Sequence, residues 1–175
     1  GRSGDLATLR RIPWLEATAL VLCDVGWHDG SPVAPSPRQV LRAQVERADA
    51  LGFTPMVGSE LEFYLLKETY EEAHHQHYRD LTPAVPDILD YHILAATYDE
   101  PFIRQIRNGM QRAGIKVETS KGEAWPGQHE INFRYADALG AAKVWSLAVA
   151  HGVGDALHAF VTAGNSQGFL AAVFA

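Results

Sequence analysis

Hydrophobic and polar positions divide the chain into blocks of two different periods. Residues 17–25, A-T-A-L-V-L-C-D-V, form a short apolar run rich in Val and Leu, which predicts a buried strand. Gly and Pro positions in residues 28–37 predict a loop, and Pro37 fits the first turn of a helix capped by Ser36. That helix is expected to run to about Leu51. Val40, Leu41, Val45 and Ala48 lie on one face, Arg38, Arg42, Glu46 and Arg47 lie largely opposite, and Gly52 follows as the stop. Residues 54–66 alternate strictly: Glu60, Glu62 and Tyr64 on one face of a strand, Leu61, Phe63 and Leu65 on the other.

Residues 67–86 are polar and irregular, carry His74, His75 and His77, and read as an exposed insertion. A short helix is expected within 87–98. A second is expected over 99–113, where Phe102, Ile103, Ile106 and Met110 recur at helical spacing before Gly114. Strands are then expected at 115–120 and 128–133. In the second, Gln128, Glu130 and Asn132 alternate with His129, Ile131 and Phe133. Ala138, Ala141, Ala142, Trp145, Leu147, Ala148 and Ala156 predict a covered helix over about 137–160, weakened by Gly152 and Gly154. Residues 161–175 restart with a turn and end apolar, which reads as a divergent or truncated tail. The order of elements predicts an α+β fold with a mostly antiparallel sheet and helices packed on one face.

The length of 175 residues fits one domain or part of a larger one. A formal net charge of −6 gives no basic footprint for nucleic acid and is compatible with holding cations. Apolar runs are interrupted well before the roughly 18 residues of a membrane span, and no leader segment is evident. The single cysteine, Cys23, excludes an internal disulfide framework, fits a reducing cytoplasm, and is expected to be a small buried hydrophobe.

The chemistry concentrates in carboxylates. Glu60 and Glu62 form one pair; Glu118, Glu123 and Glu130 surround a Pro-Gly turn between two strands. Any one group can be a solvated face. Taken together, five acids in or beside strands of one sheet repel unless a cation neutralises them, which predicts a cage for hard divalent ions such as Mg²⁺ or Mn²⁺. The histidines of the insertion lack the spacing of a zinc site. There is no phosphate-binding G-x-x-x-x-G-K-[ST] run and no G-x-S-x-G elbow.

These motifs bear a family likeness. G-S-E-L-E-F-Y-L resembles the first metal-binding strand of the glutamine synthetase family, and V-E-T-S-K-G-E-A-W-P-G-Q-H-E-I-N-F-R-Y resembles its second metal-binding hairpin. T-L-R-R-I-P-W followed by A-L-V-L-C-D is similar to the opening of the family's catalytic domain. The likeness covers residues 1–160 as a partial catalytic domain, leaves 161–175 unmatched, and is nearest the ligases that join glutamate to amines other than ammonia.

The resemblance implies an ATP-dependent ligase. ATP phosphorylates the γ-carboxylate of glutamate, and ammonia or another amine displaces phosphate. Glu60 then matches a ligand of the ion at the ATP phosphates. Glu62, Glu123 and Glu130 match ligands of a second ion nearer glutamate. Glu118 matches a nucleotide contact and Tyr135 an aromatic near the adenosine. Lys121, also on the nucleotide side, stands where the family often has histidine. The family assembles as homo-oligomeric rings and works in the cytoplasm. The family's small N-terminal domain and its later metal and phosphate ligands have no counterpart here, so this chain is expected to be incomplete and unable to turn over by itself. The competing expectation is a non-catalytic remnant that binds metal or nucleotide, or docks onto intact subunits.

Overall fold

The computed structural model describes residues 1–143 together with 159 and 160. Its centre is a four-stranded antiparallel sheet. The strands are β6 (Glu60–Leu65), β7 (Val117–Gly122), β8 (Gln128–Phe133) and β10 (Ala159–Phe160), in the order β10-β6-β8-β7. Three small antiparallel pairs surround it: β1 (Arg2–Gly4) with β4 (Cys23–Val25), β2 (Arg10–Arg11) with β3 (Ala19–Leu20), and β5 (Met56–Val57) with β9 (Ala136–Asp137). The helices are α1 (Pro37–Ala50), α2 (Tyr70–His75) and α3 (Ile93–Arg112). Residues 138–143 are also helical.

Strand alternation gives the sheet two faces of opposite character. Leu61, Phe63 and Leu65 of β6 and Ile131 and Phe133 of β8 are buried against Ile103, Ile106 and Met110 of α3. Those helix residues are three and four apart and so form one stripe. Ile115, just past the helix, completes the same core. His129 shares this covered face: its ring stacks on Phe63 at 5.9 Å between centroids, and its Nε2 lies 2.8 Å from Asp99 of α3. Arg107 of α3 donates to Ser120 of β7 at 2.9 Å and pairs with Glu100, which fixes the helix along the sheet. The opposite face carries Glu60, Glu62, Glu130 and their neighbours.

Several expectations change. The apolar run 17–25 is not one buried strand. It turns between two short strands because β3 and β4 pair with different partners, and the Thr8 hydroxyl accepts the Leu22 N–H at the turn (2.8 Å). Cys23 is accordingly exposed, not buried. The strand expected over 54–66 is divided at Gly58–Ser59 into β5 and β6, which belong to different sheets.

The polar insertion holds a helix, α2. A capping box between Thr69 and Glu72 starts it, and it buries Ala73. Its histidines are exposed, as expected. The two helices expected over 87–113 are a single α3 that passes through Pro101, with His92 Nδ1 accepting the Ala95 N–H to cap its start. Pro101 removes one backbone donor, but the stripe beyond it is anchored in the core. Of the helix expected over 137–160, residues 138–143 are helical and 159–160 form strand β10; the stretch between them, Gly152 and Gly154 included, lies outside the described residues, as does the tail 161–175.

Helix α1 begins and ends as expected, with Ser36 at its N-cap, Pro37 next, and Gly52 at φ +81° after its last turn. It is held by charge as well as by its half-buried apolar face. Arg38 pairs with Asp5 and Asp24, and Arg42 with Asp24 at 3.2 Å. No helix among the described residues is long and apolar enough to cross a membrane.

Candidate metal centre

Register brings the acids together. In the β6–β8 pair Glu60 faces Asn132, Glu62 faces Glu130, and Tyr64 faces Gln128. One carboxylate oxygen from each of Glu60, Glu62 and Glu130 lies within 4.8 Å of the others. Glu60 is exposed, Glu62 half-buried, and Glu130 only 5% exposed. The cluster is therefore open at one end and closed at the other.

The surrounding amides complete an oxygen-rich wall. Gln128 donates its amide N–H to Glu62 Oε2 at 2.8 Å, while its own Oε1 is buried without a partner. Asn132 hydrogen-bonds Glu130 and also leaves its Oδ1 buried and unpartnered. Buried acceptors beside three carboxylates have no donor to satisfy them, and a cation is the chemistry that fits such a set. Oxygen ligands alone suit Mg²⁺ or Mn²⁺.

Electrostatics show how strained the acids are without a cation. Burial pushes the Glu130 carboxyl up to about 7, helped by its hydrogen bond with Glu123 and the field of Glu60, against opposing contributions from Asn132 and Lys121. Glu123 goes the other way. The hydrogen bond from Glu130, then Lys121, hold it below the usual carboxylate range despite its burial. The two carboxyls are thus driven apart, Glu130 toward its neutral form and Glu123 toward its ionised form.

Lys121 faces Glu130 from β7. Its ammonium contacts Glu123 and lies 3.6 Å from Glu130 Oε2 and 3.6 Å from Asp90 Oδ1, with the Tyr91 ring 5.1 Å away. Burial opposes its charge, but these carboxylates outweigh that and raise its pKa above the ordinary lysine value. The loop carrying Asp90 and Tyr91 is locked against β7 at Gly122, where a Cβ would stand 2.2 Å from that of Leu89.

The structure thus gathers Glu60, Glu62 and Glu130, sets Glu123 beside Glu130, and places Lys121 between Glu123 and Glu130. Glu118 is not gathered with them. A bulge separates Val117 from Thr119 in the β7–β8 register, and Glu118 is the exposed extra residue. Three positions from Lys121, it is roughly 10 Å along the strand. Tyr135 is exposed beyond the end of β8. Sequence reasoning missed the parts played by Gln128, Asn132 and Asp90. The first two carried a signal, since they flank Glu130 at two-residue spacing on its own face.

A family model for the glutamine synthetase catalytic domain matches residues 34–147. Gamma-glutamylethanolamide synthetase GlnA4 of Streptomyces coelicolor is 53% identical over 135 residues, covering 77% of this chain and 29% of that protein. A glutamate–isopropylamine ligase from a Pseudomonas species is 38% identical over 138 residues, covering 79% and 30%. The chain spans about three tenths of the length of these curated relatives. Among solved structures, ligand-free GmaS superposes with a TM-score of 0.72 at 24% identity, covering 91% of this chain and 37% of that one. GmaS in complex with ADP gives 0.69 at 26% identity, covering 86% and 35%. The chain belongs to the glutamine synthetase family, as part of its catalytic domain.

Proposed function

We propose that this chain supplies the divalent-metal part of the active site of an ATP-dependent ligase that joins the γ-carboxylate of glutamate to an amine through γ-glutamyl phosphate. The observation that carries this reading is the convergence of Glu60, Glu62 and Glu130 within 4.8 Å beside unpartnered amide oxygens. Glu60 would serve the ion at the ATP phosphates, and Glu62, Glu123 and Glu130 the ion nearer glutamate. Glu118, Lys121 and Tyr135 belong on the nucleotide side. Bound Mg²⁺ or Mn²⁺ would supply the positive charge that phosphoryl transfer between two anions requires. The chain's own part is to hold these oxygens fixed on paired strands and to keep Glu130 in a buried corner beside its neighbours.

Two relatives act on amines other than ammonia, by their names ethanolamine and isopropylamine. An alkylamine or amino alcohol is accordingly the acceptor proposed for the whole protein, working as a homo-oligomer. Calorimetric titration of Mn²⁺ into the metal-free chain, with and without a non-hydrolysable ATP analogue, tests the site. Saturable binding that Glu130→Ala removes supports the reading. A folded chain that takes up no Mn²⁺, either as it stands or with Lys121 replaced by Met, overturns it.

A further inference from the structure

The three carboxylates that converge on one point are not the three that the family pattern assigns to one ion. Glu60 is in the group and Glu123 is out of it. The reason is on the adjacent strand: Glu123 is engaged by the Lys121 ammonium, which also lies 3.6 Å from Glu130 Oε2. Lys121 is in turn anchored from outside the carboxylate cluster by Asp90 at 3.6 Å and by the face of Tyr91. Leu89, next to Asp90, is fully buried and packed onto Gly122, so this anchor does not swing freely.

We propose that Lys121 is a tethered counter-cation that occupies the Glu123 side of the carboxylate site, so that a divalent ion ligated by both Glu123 and Glu130 must first displace the ammonium. Lys121 thereby sets the affinity of the site for metal. This rests on the metal reading given above.

The physical case is a competition at one place. A lysine ammonium is a compact point charge on a flexible stem, able to stand where an ion would stand and to leave when one arrives. It satisfies two acids that would otherwise repel in the metal-free protein. Like charge then opposes entry of a divalent ion within a few ångströms, in a partly buried setting where Coulomb interactions are weakly screened. Gln128 gives an independent sign that the site is built for an incoming ion. It is 8% exposed, its amide nitrogen is fixed on Glu62, and its Oε1 stays unpartnered although Lys121 serves the other end of the cluster.

The test compares Mn²⁺ titrations of the 175-residue chain with those of Lys121→Met, and of Lys121→Gln as a neutral variant that keeps a hydrogen bond to Glu123. Binding is expected to tighten on the order of tenfold to a hundredfold in both. Melting in chelator should fall while the rise in Tm on adding Mn²⁺ grows. Glu123→Gln should change affinity little in the parent chain and strongly in the Lys121→Met background, the non-additivity expected of partners. Binding that appears only in the neutral variants supports the proposal as well. If the parent binds Mn²⁺ and the neutral variants bind it equally or more weakly, Lys121 is not a competitor, and the inference falls while the metal centre stands. If none of the folded chains binds, the metal centre and this inference fall together.

Discussion

Glu62 and Glu130 stand directly opposite each other on β6 and β8, two acids paired across a ladder where like charges ordinarily destabilise. Glu62 is steadied by the Gln128 amide, and Glu130 by its hydrogen bonds with Asn132 and Glu123. Burial also shifts Glu130 toward its neutral form, which eases the repulsion across the ladder.

Removing one member of the pair should relieve repulsion. Glu130→Ala is expected to leave the metal-free stability unchanged or raised, and to abolish stabilisation by Mn²⁺. Thermal melts in chelator and in Mn²⁺ check both halves. Unfolding of Glu130→Ala in chelator would instead make the carboxylate a structural support.

The pH dependence has a defined sign. The folded-state value of about 7 for Glu130 lies above the ordinary 4.5, so the folded chain holds more protons than the unfolded chain between those values. Stability contributed by this group is complete below about 4.5 and is lost as pH rises through about 7. Urea midpoints of the metal-free chain at pH 5.5 and pH 8 should differ in that direction, and Glu130→Gln should flatten the difference. Mn²⁺ binding near pH 6 should release a proton, seen as a dependence of the calorimetric heat on buffer.

Gly122→Ala tests the lock between β7 and the Asp90 loop. The new Cβ would meet Leu89 Cβ at 2.2 Å and Leu89 O at 2.5 Å. Backbone cannot yield as a flexible side chain would, and a cost of about 1–3 kcal/mol or more is expected in denaturant unfolding. Wild-type stability in that variant would show that the loop simply moves away.

Asp99→Ala leaves a buried ring nitrogen of His129 without its partner. The expected cost is about 1–3 kcal/mol. Adding His129→Leu to the same chain should recover part of it, since no buried polar group is then left unsatisfied. Equal stability of the single and double variants would argue against the pair.

Much of this was legible in the sequence because period-two alternation is a strong signal. Residues 60–65 and 128–133 each separate acids or amides from apolar side chains, and the structure uses both faces as the pattern suggests. Helix α1 was legible because Ser36, Pro37 and Gly52 mark its ends. Other features depend on pairing at a distance. The run 17–25 divides between two partners, which no local pattern reveals. Strand β10 lies where composition favours a helix, and it exists through its pairing with β6. Helix α3 is one element where two were expected, held together by core contacts along its length. In the site, the acids were visible as residue types, but the engagement of Glu123 by Lys121 depends on which residue of β7 faces Glu130.

That last point turns on a single residue. Counting back from Val117 opposite Phe133, an unbroken ladder would set Ser120 against Glu130 and send Lys121 to the apolar side. The extra residue Glu118 shifts the phase of everything after it, and this is what delivers an ammonium to the acids instead of a hydroxyl. Deleting Glu118 would remove the bulge and leave Lys121 opposite Glu130, because the straightened ladder from Val117 then reaches the same pairing. Such a chain should titrate Mn²⁺ as the parent does, whereas inserting a second residue beside Glu118 would move the ammonium off the acids and change that titration.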